Sequence, residues 1–191
     1  MSLTIIFQKI VHLALLLHIV TGFGSIVLFW LPIFTKKGGK THRKIGKIYI
    51  LLMWLGIFSG IILTISKFHE GEMEAGIFLG FLVFLAARPV WYGIAILKSK
   101  NTLSTRLKNY HIALKLTLFL YGIFMLVYAL KFPDLTLAPL FIAFGVLGFF
   151  AGLDAWRDFR NTSTDSKWLK EHFEGMLISG VAAYTGFLAI G

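Results

Sequence analysis

Apolar residues dominate long, unbroken stretches of this chain, and polar residues are confined to short interruptions between them. The stretches centre on 10–33, 46–67, 75–98, 109–131, 136–157 and 171–190. Each is about 20 residues or longer, enough for a helix to cross a hydrocarbon core of roughly 30 Å. The runs lack the strict two-residue alternation of a membrane β-barrel strand. The pattern therefore predicts an all-α integral membrane bundle of about six transmembrane helices, forming a single domain over 1–191. The first run, from Ile10 to Phe34, is too long for a signal-peptide core and is expected to be a retained helix. The interruptions are too short to fold into a soluble domain of their own.

Composition agrees with the pattern: 57% of the 191 residues are hydrophobic and the mean hydropathy is +0.79. The net charge of +10 would suggest nucleic acid in a soluble protein, but here its placement argues otherwise. Lys36, Lys37, Lys40, Arg43, Lys44 and Lys47 surround the first interruption. Lys98, Lys100, Arg106 and Lys108 surround the third, and Arg157, Arg160, Lys167 and Lys170 the fifth. Those three loops hold fourteen of the 19 Lys and Arg residues. Positive charge in short loops sets orientation in a membrane, so the expected topology is N-out and C-out with three cytoplasmic basic loops. The acidic Glu70, Glu72 and Glu74 then face outward. The expected setting is a bacterial inner membrane, with the lipid bilayer as the surrounding partner and no nucleic acid. A homo-oligomer or a membrane-complex partner stays open.

No cysteine is present, which removes disulfides, thiolate metal sites and thiol nucleophiles. His-Glu-x-x-His, phosphate-cradling glycine loops and nucleophile elbows are also missing. The remaining candidate chemistry lies in ionisable residues inside the apolar runs, which are costly there and mark functional sites by default. Arg88, followed by Pro89, is expected to pair with Asp154. Lys115 shares a helix face with His111, and Glu174 is its expected partner. His42, His111 and His172 each open an outgoing helix, which suggests three successive hairpins with a histidine layer at one end. With Asp154, these histidines are the candidate ligands of a transition metal. Alternatively, His111 and His172 clamp a haem b iron, with Arg88 and Lys115 near the propionates and Met176 on the same helix face as His172. His18, in the first helix, is expected to hydrogen-bond to a tyrosine such as Tyr121, Tyr128 or Tyr184.

His18-x3-Gly22, Thr41-His42-Arg43-x2-Gly46-x2-Tyr49, His111, Asp154, Trp168-x3-His172-x3-Met176 and Tyr184-Thr185-Gly186-Phe187 together resemble a bacterial membrane-protein family, domain of unknown function 2306. The resemblance extends over nearly the whole chain and implies a multi-helix membrane protein. The chain departs from the family around Asn109-Tyr110-His111, where further arginines would be expected and Lys115 follows instead. Three functions are compatible with these residues. One is a metal- or haem-binding membrane protein, with redox activity open to it. The others are a small-solute or proton transporter and a structural or accessory subunit.

Overall fold

The computed structural model describes residues 3–100, 104–132, 134, 136–161 and 167–190. Six α-helices follow one another: α1 (Leu3–Phe34), α2 (Lys40–His69), α3 (Met73–Ala95), α4 (Thr105–Lys131), α5 (Ala138–Arg160) and α6 (Trp168–Ile190). A short 3-10 turn, Ile96–Lys98, extends α3. No strand occurs among the described residues. Five of the helices, α1 to α5, are long and apolar enough to cross a membrane. The sixth carries Lys170, Glu171 and Glu174 in its first two turns, which dilutes its apolar stretch.

The helix ends follow local chemistry. Gly38 and Gly71 are the positive-φ residues among those described, at φ 73° and 81°. Each lets the chain turn out of a helix where a side chain would be strained. Beyond α1, the Pro32 carbonyl accepts from Thr35 Oγ1 at 3.0 Å, Lys37 Nζ at 3.2 Å and His42 Nδ1 at 3.1 Å. Last-turn carbonyls have no partner within their own helix, so these three donors close the α1–α2 turn. Pro139, at the start of α5, costs nothing because a first-turn N–H is unpaired in any case.

The chain divides into two compact units. The first comprises Met1–Ala87 with Ser179–Gly191, and the second Arg88–Ile178. In the first unit α1 packs along α2, and its polar groups are satisfied locally. His18 Nδ1–H donates to the Gly56 carbonyl at 3.0 Å and lies 3.1 Å from Ser59 Oγ. The expected tyrosine partner is not used, because α2 presents a carbonyl and a hydroxyl directly opposite the ring. Tyr49 and Ser179 share a buried hydrogen bond of 2.8 Å. Trp30 Nε1 donates to Tyr184 Oη at 2.6 Å, and Tyr184 donates onward to the Ile26 carbonyl. The outer face of α1 is unpartnered: Leu13, Val20, Val27 and Phe34, seven residues apart, are 64% to 80% exposed. An apolar stripe of that length is suited to lipid, not water.

In the second unit α4 packs along α5 on a seam of glycines. A Cβ added to Gly148 would lie 2.7 Å from Gly122 Cα, and one added to Gly122 would lie 2.8 Å from Gly148 Cα. Backbone meets backbone there, the close approach that small residues permit in membrane helices. The same device joins α3 to α6, where a Cβ on Gly175 would lie 2.9 Å from Gly93 Cα. The extensive helix pairs are thus α1 with α2 and α4 with α5, and Gly93 and Gly175 bring α3 against α6.

Candidate functional site

Within the second unit, four helices each turn a polar i, i+4 face toward a common cavity of about 360 Å³. Residues four apart lie on one side of a helix, so the pairs can be read directly from the chain. They are Arg88 and Tyr92 on α3, His111 and Lys115 on α4, and Asp154 and Asp158 on α5. Glu171 and Gly175 complete the set on α6. The cavity lies at the end of the unit where α3 and α5 finish and α4 and α6 begin. That is the end flanked by the third and fifth basic loops.

Polar contacts connect the helices around it. Lys115 Nζ donates to Asp158 Oδ2 at 2.7 Å, with the lysine side chain 11% exposed and the carboxylate 36%. His111 Nε2 lies 3.8 Å from the same oxygen, and its ring stacks on Tyr92 with centroids 3.5 Å apart. Tyr92 Oη donates to Glu171 Oε2 at 2.5 Å. The remaining cavity carboxylates are partnered within their own helices. Asp154 meets Arg157 at 3.2 Å and Glu174 meets Lys170 at 3.6 Å. Both of those pairs are exposed.

Arg88 stands apart from this pairing. Its Nε is closed off and has no hydrogen-bond acceptor, and none of the ion pairs among the described residues includes its guanidinium. The carboxylates whose charge reaches it are those of Asp154 and Asp158. His111 Nδ1 is the other buried side-chain atom without a partner among the described residues. Half-buried positive charge inside a helix bundle is expensive unless something neutralises it.

Several expectations change at this point. The Arg88–Asp154 ion pair is not formed, because Asp154 finds Arg157 one turn along its own helix. Lys115 takes Asp158 instead of Glu174, which meets Lys170 one turn back on α6. Each histidine of the expected layer has a local role within its own unit. His42 belongs to the first unit and closes a turn. His172 Nδ1–H donates to the Gly93 carbonyl at 2.6 Å, satisfying one of the last carbonyls of α3. His111 lines the cavity, whereas Met176 packs over Gly93, where an added Cβ would meet its Cε at 2.5 Å. Among the described residues, no group of three or more His, Asp or Glu is placed to hold a metal ion. The ligand set expected from the sequence, His42, His111, His172 and Asp154, thus gains no support from a metal-binding group among the described residues.

Asp158 and Tyr92 are the residues that sequence reasoning missed. The spacing could have found both, since each lies four residues beyond a candidate already singled out, Asp154 and Arg88. Asp158 was hidden by its arginine neighbours, Arg157 and Arg160, which made that segment look like a basic loop. Comparison of the chain with protein-family models, curated proteins and solved structures finds no match.

Proposed function

We propose that this chain is a six-span integral membrane protein that binds a small oxyanion, a carboxylate or a phosphate group, in the α3–α6 cavity. The observation that carries this reading is the Arg88 guanidinium, which makes no ion pair among the described residues in a cavity whose four carboxylates already have nearer partners. A guanidinium offers a planar fork of donors that matches a carboxylate or phosphate with two parallel hydrogen bonds. Supplying that anion neutralises the charge, which makes binding favourable even for a small ligand. Lys108, Lys167 and Lys170 also line the cavity and would attract an anion toward it.

The distribution of basic loops supports an arrangement with both termini outside and this cavity open to the cytoplasm. A bacterial inner membrane, with a carrier for small anions as the working role, fits that arrangement. Calorimetric titration of the protein in lipid nanodiscs with inorganic phosphate and, separately, acetate tests the binding step. Saturable binding of one or both is expected, weakened at least tenfold by Arg88→Gln and less by Arg88→Lys. Binding that survives Arg88→Gln unchanged, or no binding at millimolar anion, overturns the proposal.

A further inference from the structure

A second cavity in the same unit, of about 380 Å³, lies between α4 and α5 and is lined by apolar side chains. Leu116 and Phe119 contribute from α4, and Phe149, Leu153, Trp156 and Phe159 from α5. From Phe149 to Phe159 the groove follows ten residues of α5, roughly 15 Å at helical rise. That is half of a hydrocarbon core of about 30 Å, the depth of one leaflet. The glycine seam draws the two backbones together, so the large side chains on either side splay outward and leave a slot. Phe119 packs over Gly152, where any Cβ would come within 2.3 Å of its ring.

The groove ends in positive charge. The Arg160 guanidinium lies 6.0 Å from the centre of the Trp156 ring, and Trp156 stacks on Phe159. Arg160 takes part in none of the ion pairs among the described residues. Arg157 lies a turn away and holds Asp154, so no open carboxylate remains beside the groove for a cationic head group. Exposed aromatic residues at this level are typical of the membrane–water boundary.

We infer that the α4–α5 groove is a binding site for an anionic phospholipid, with one acyl chain in the slot and the phosphate against Arg160. Length, apolarity and charge at the open end point to the same occupant. It is a lipid of the leaflet on the side of the basic loops, without a cationic head group. The inference is separate from oxyanion binding at Arg88, since it uses different residues on the opposite side of α4 and α5.

Native mass spectrometry of the protein released from nanodiscs containing phosphatidylglycerol and phosphatidylcholine tests it. The wild-type chain should retain phosphatidylglycerol in preference. One basic residue near the surface contributes about 1 kcal/mol toward an anionic lipid, so Arg160→Gln should lower that preference on the order of fivefold. Leu116→Trp, which fills the slot, should remove retention of both lipids. Lys44→Gln, which deletes an exposed charge on α2 far along the chain from the groove, should leave the preference intact. Equal loss in Arg160→Gln and Lys44→Gln would reduce the effect to general surface charge and overturn the inference. An unchanged preference in Arg160→Gln, or a wild-type protein that retains no lipid, would overturn it too. Arg160 is exposed, so its replacement does not endanger folding.

Discussion

Replacing Gly148 with alanine should separate α4 from α5, and the size of the effect follows from the seam. The new Cβ would lie 2.7 Å from both Gly122 Cα and the Leu118 carbonyl oxygen. Carbon atoms rest at about 3.5–4.0 Å, so the helices must move apart by about 1 Å locally. Both obstacles are backbone, so no side chain can rotate away to relieve them. Overpacking of this kind costs about 1–3 kcal/mol, and the better helix propensity of alanine returns up to about 1 kcal/mol. The net expectation is a loss of about 1–2 kcal/mol. Gly22→Ala is the matched control, because a Cβ there meets nothing within 4 Å; it should be neutral or slightly stabilising. Reversible unfolding in mixed detergent, followed by tryptophan fluorescence, reads both changes on one scale. The Gly122→Ala, Gly148→Ala double variant should cost less than the sum of the singles, since one opening relieves both contacts. A Gly148→Ala protein as stable as wild type, alongside a destabilised Gly22→Ala, would refute the packing argument.

Three further outcomes are expected. Asp158→Asn should destabilise the detergent-solubilised protein by on the order of 2 kcal/mol, because it strips a charged partner from Lys115. Lys115→Met in the same chain should recover part of the loss, and strictly additive melts would show that the pair is not coupled. Reporter fusions at Lys40, Lys100 and Lys167 should behave as cytoplasmic and one at Gly71 as external; one reversed loop would sink the topology. Glu70 accepts from Ser66 Oγ at 2.6 Å and pairs with Lys67 at 3.0 Å, and these contacts hold its carboxyl below the usual range, the hydroxyl contributing most. A depressed folded-state value gives stability that is present at neutral pH and is lost as pH falls through that value. Glu70→Gln should therefore flatten the acid limb of the stability profile, and an unchanged limb would show that the contacts carry no weight.

The helices were legible because long apolar runs follow a simple rule of length and apolarity. Four of the six predicted runs fall inside observed helices, while 75–98 continues into the 3-10 turn Ile96–Lys98 and 136–157 begins just before α5. Most helix ends extend beyond the apolar runs, since lysines and histidines such as Lys40 and His69 continue the helical hydrogen bonding once outside the apolar stretch. Which helix meets which was harder to read. Glycines mark the tight seams, but nothing in their spacing says that Gly122 faces Gly148 or that Gly175 faces Gly93. The site was legible in part: Arg88, Lys115, His111 and Asp154 all line one cavity. Their pairing depended on which side of α5 faces inward, and α5 carries two aspartates one turn apart. Depth along a helix could be read from the sequence, but azimuth required the neighbouring helices.

Arg88 also bears on how the chain enters a membrane during synthesis. The apolar window of α3 has a mean hydropathy of 1.8, against 2.4 for α2. An arginine near the middle of an inserting helix costs roughly 2.5–3.5 kcal/mol on the insertion scale. Lys115 and Asp158 come from α4 and α5, and both emerge from the ribosome after α3. In a membrane-inserted chain, synthesis would therefore present Arg88 to the lipid before its cavity partners on α4, α5 and α6 are made. The helix must be carried in by its own phenylalanines and leucines, among them Phe78, Phe81 and Phe84. Trimming those side chains would act first on whether α3 enters at all, and only later on the folded protein.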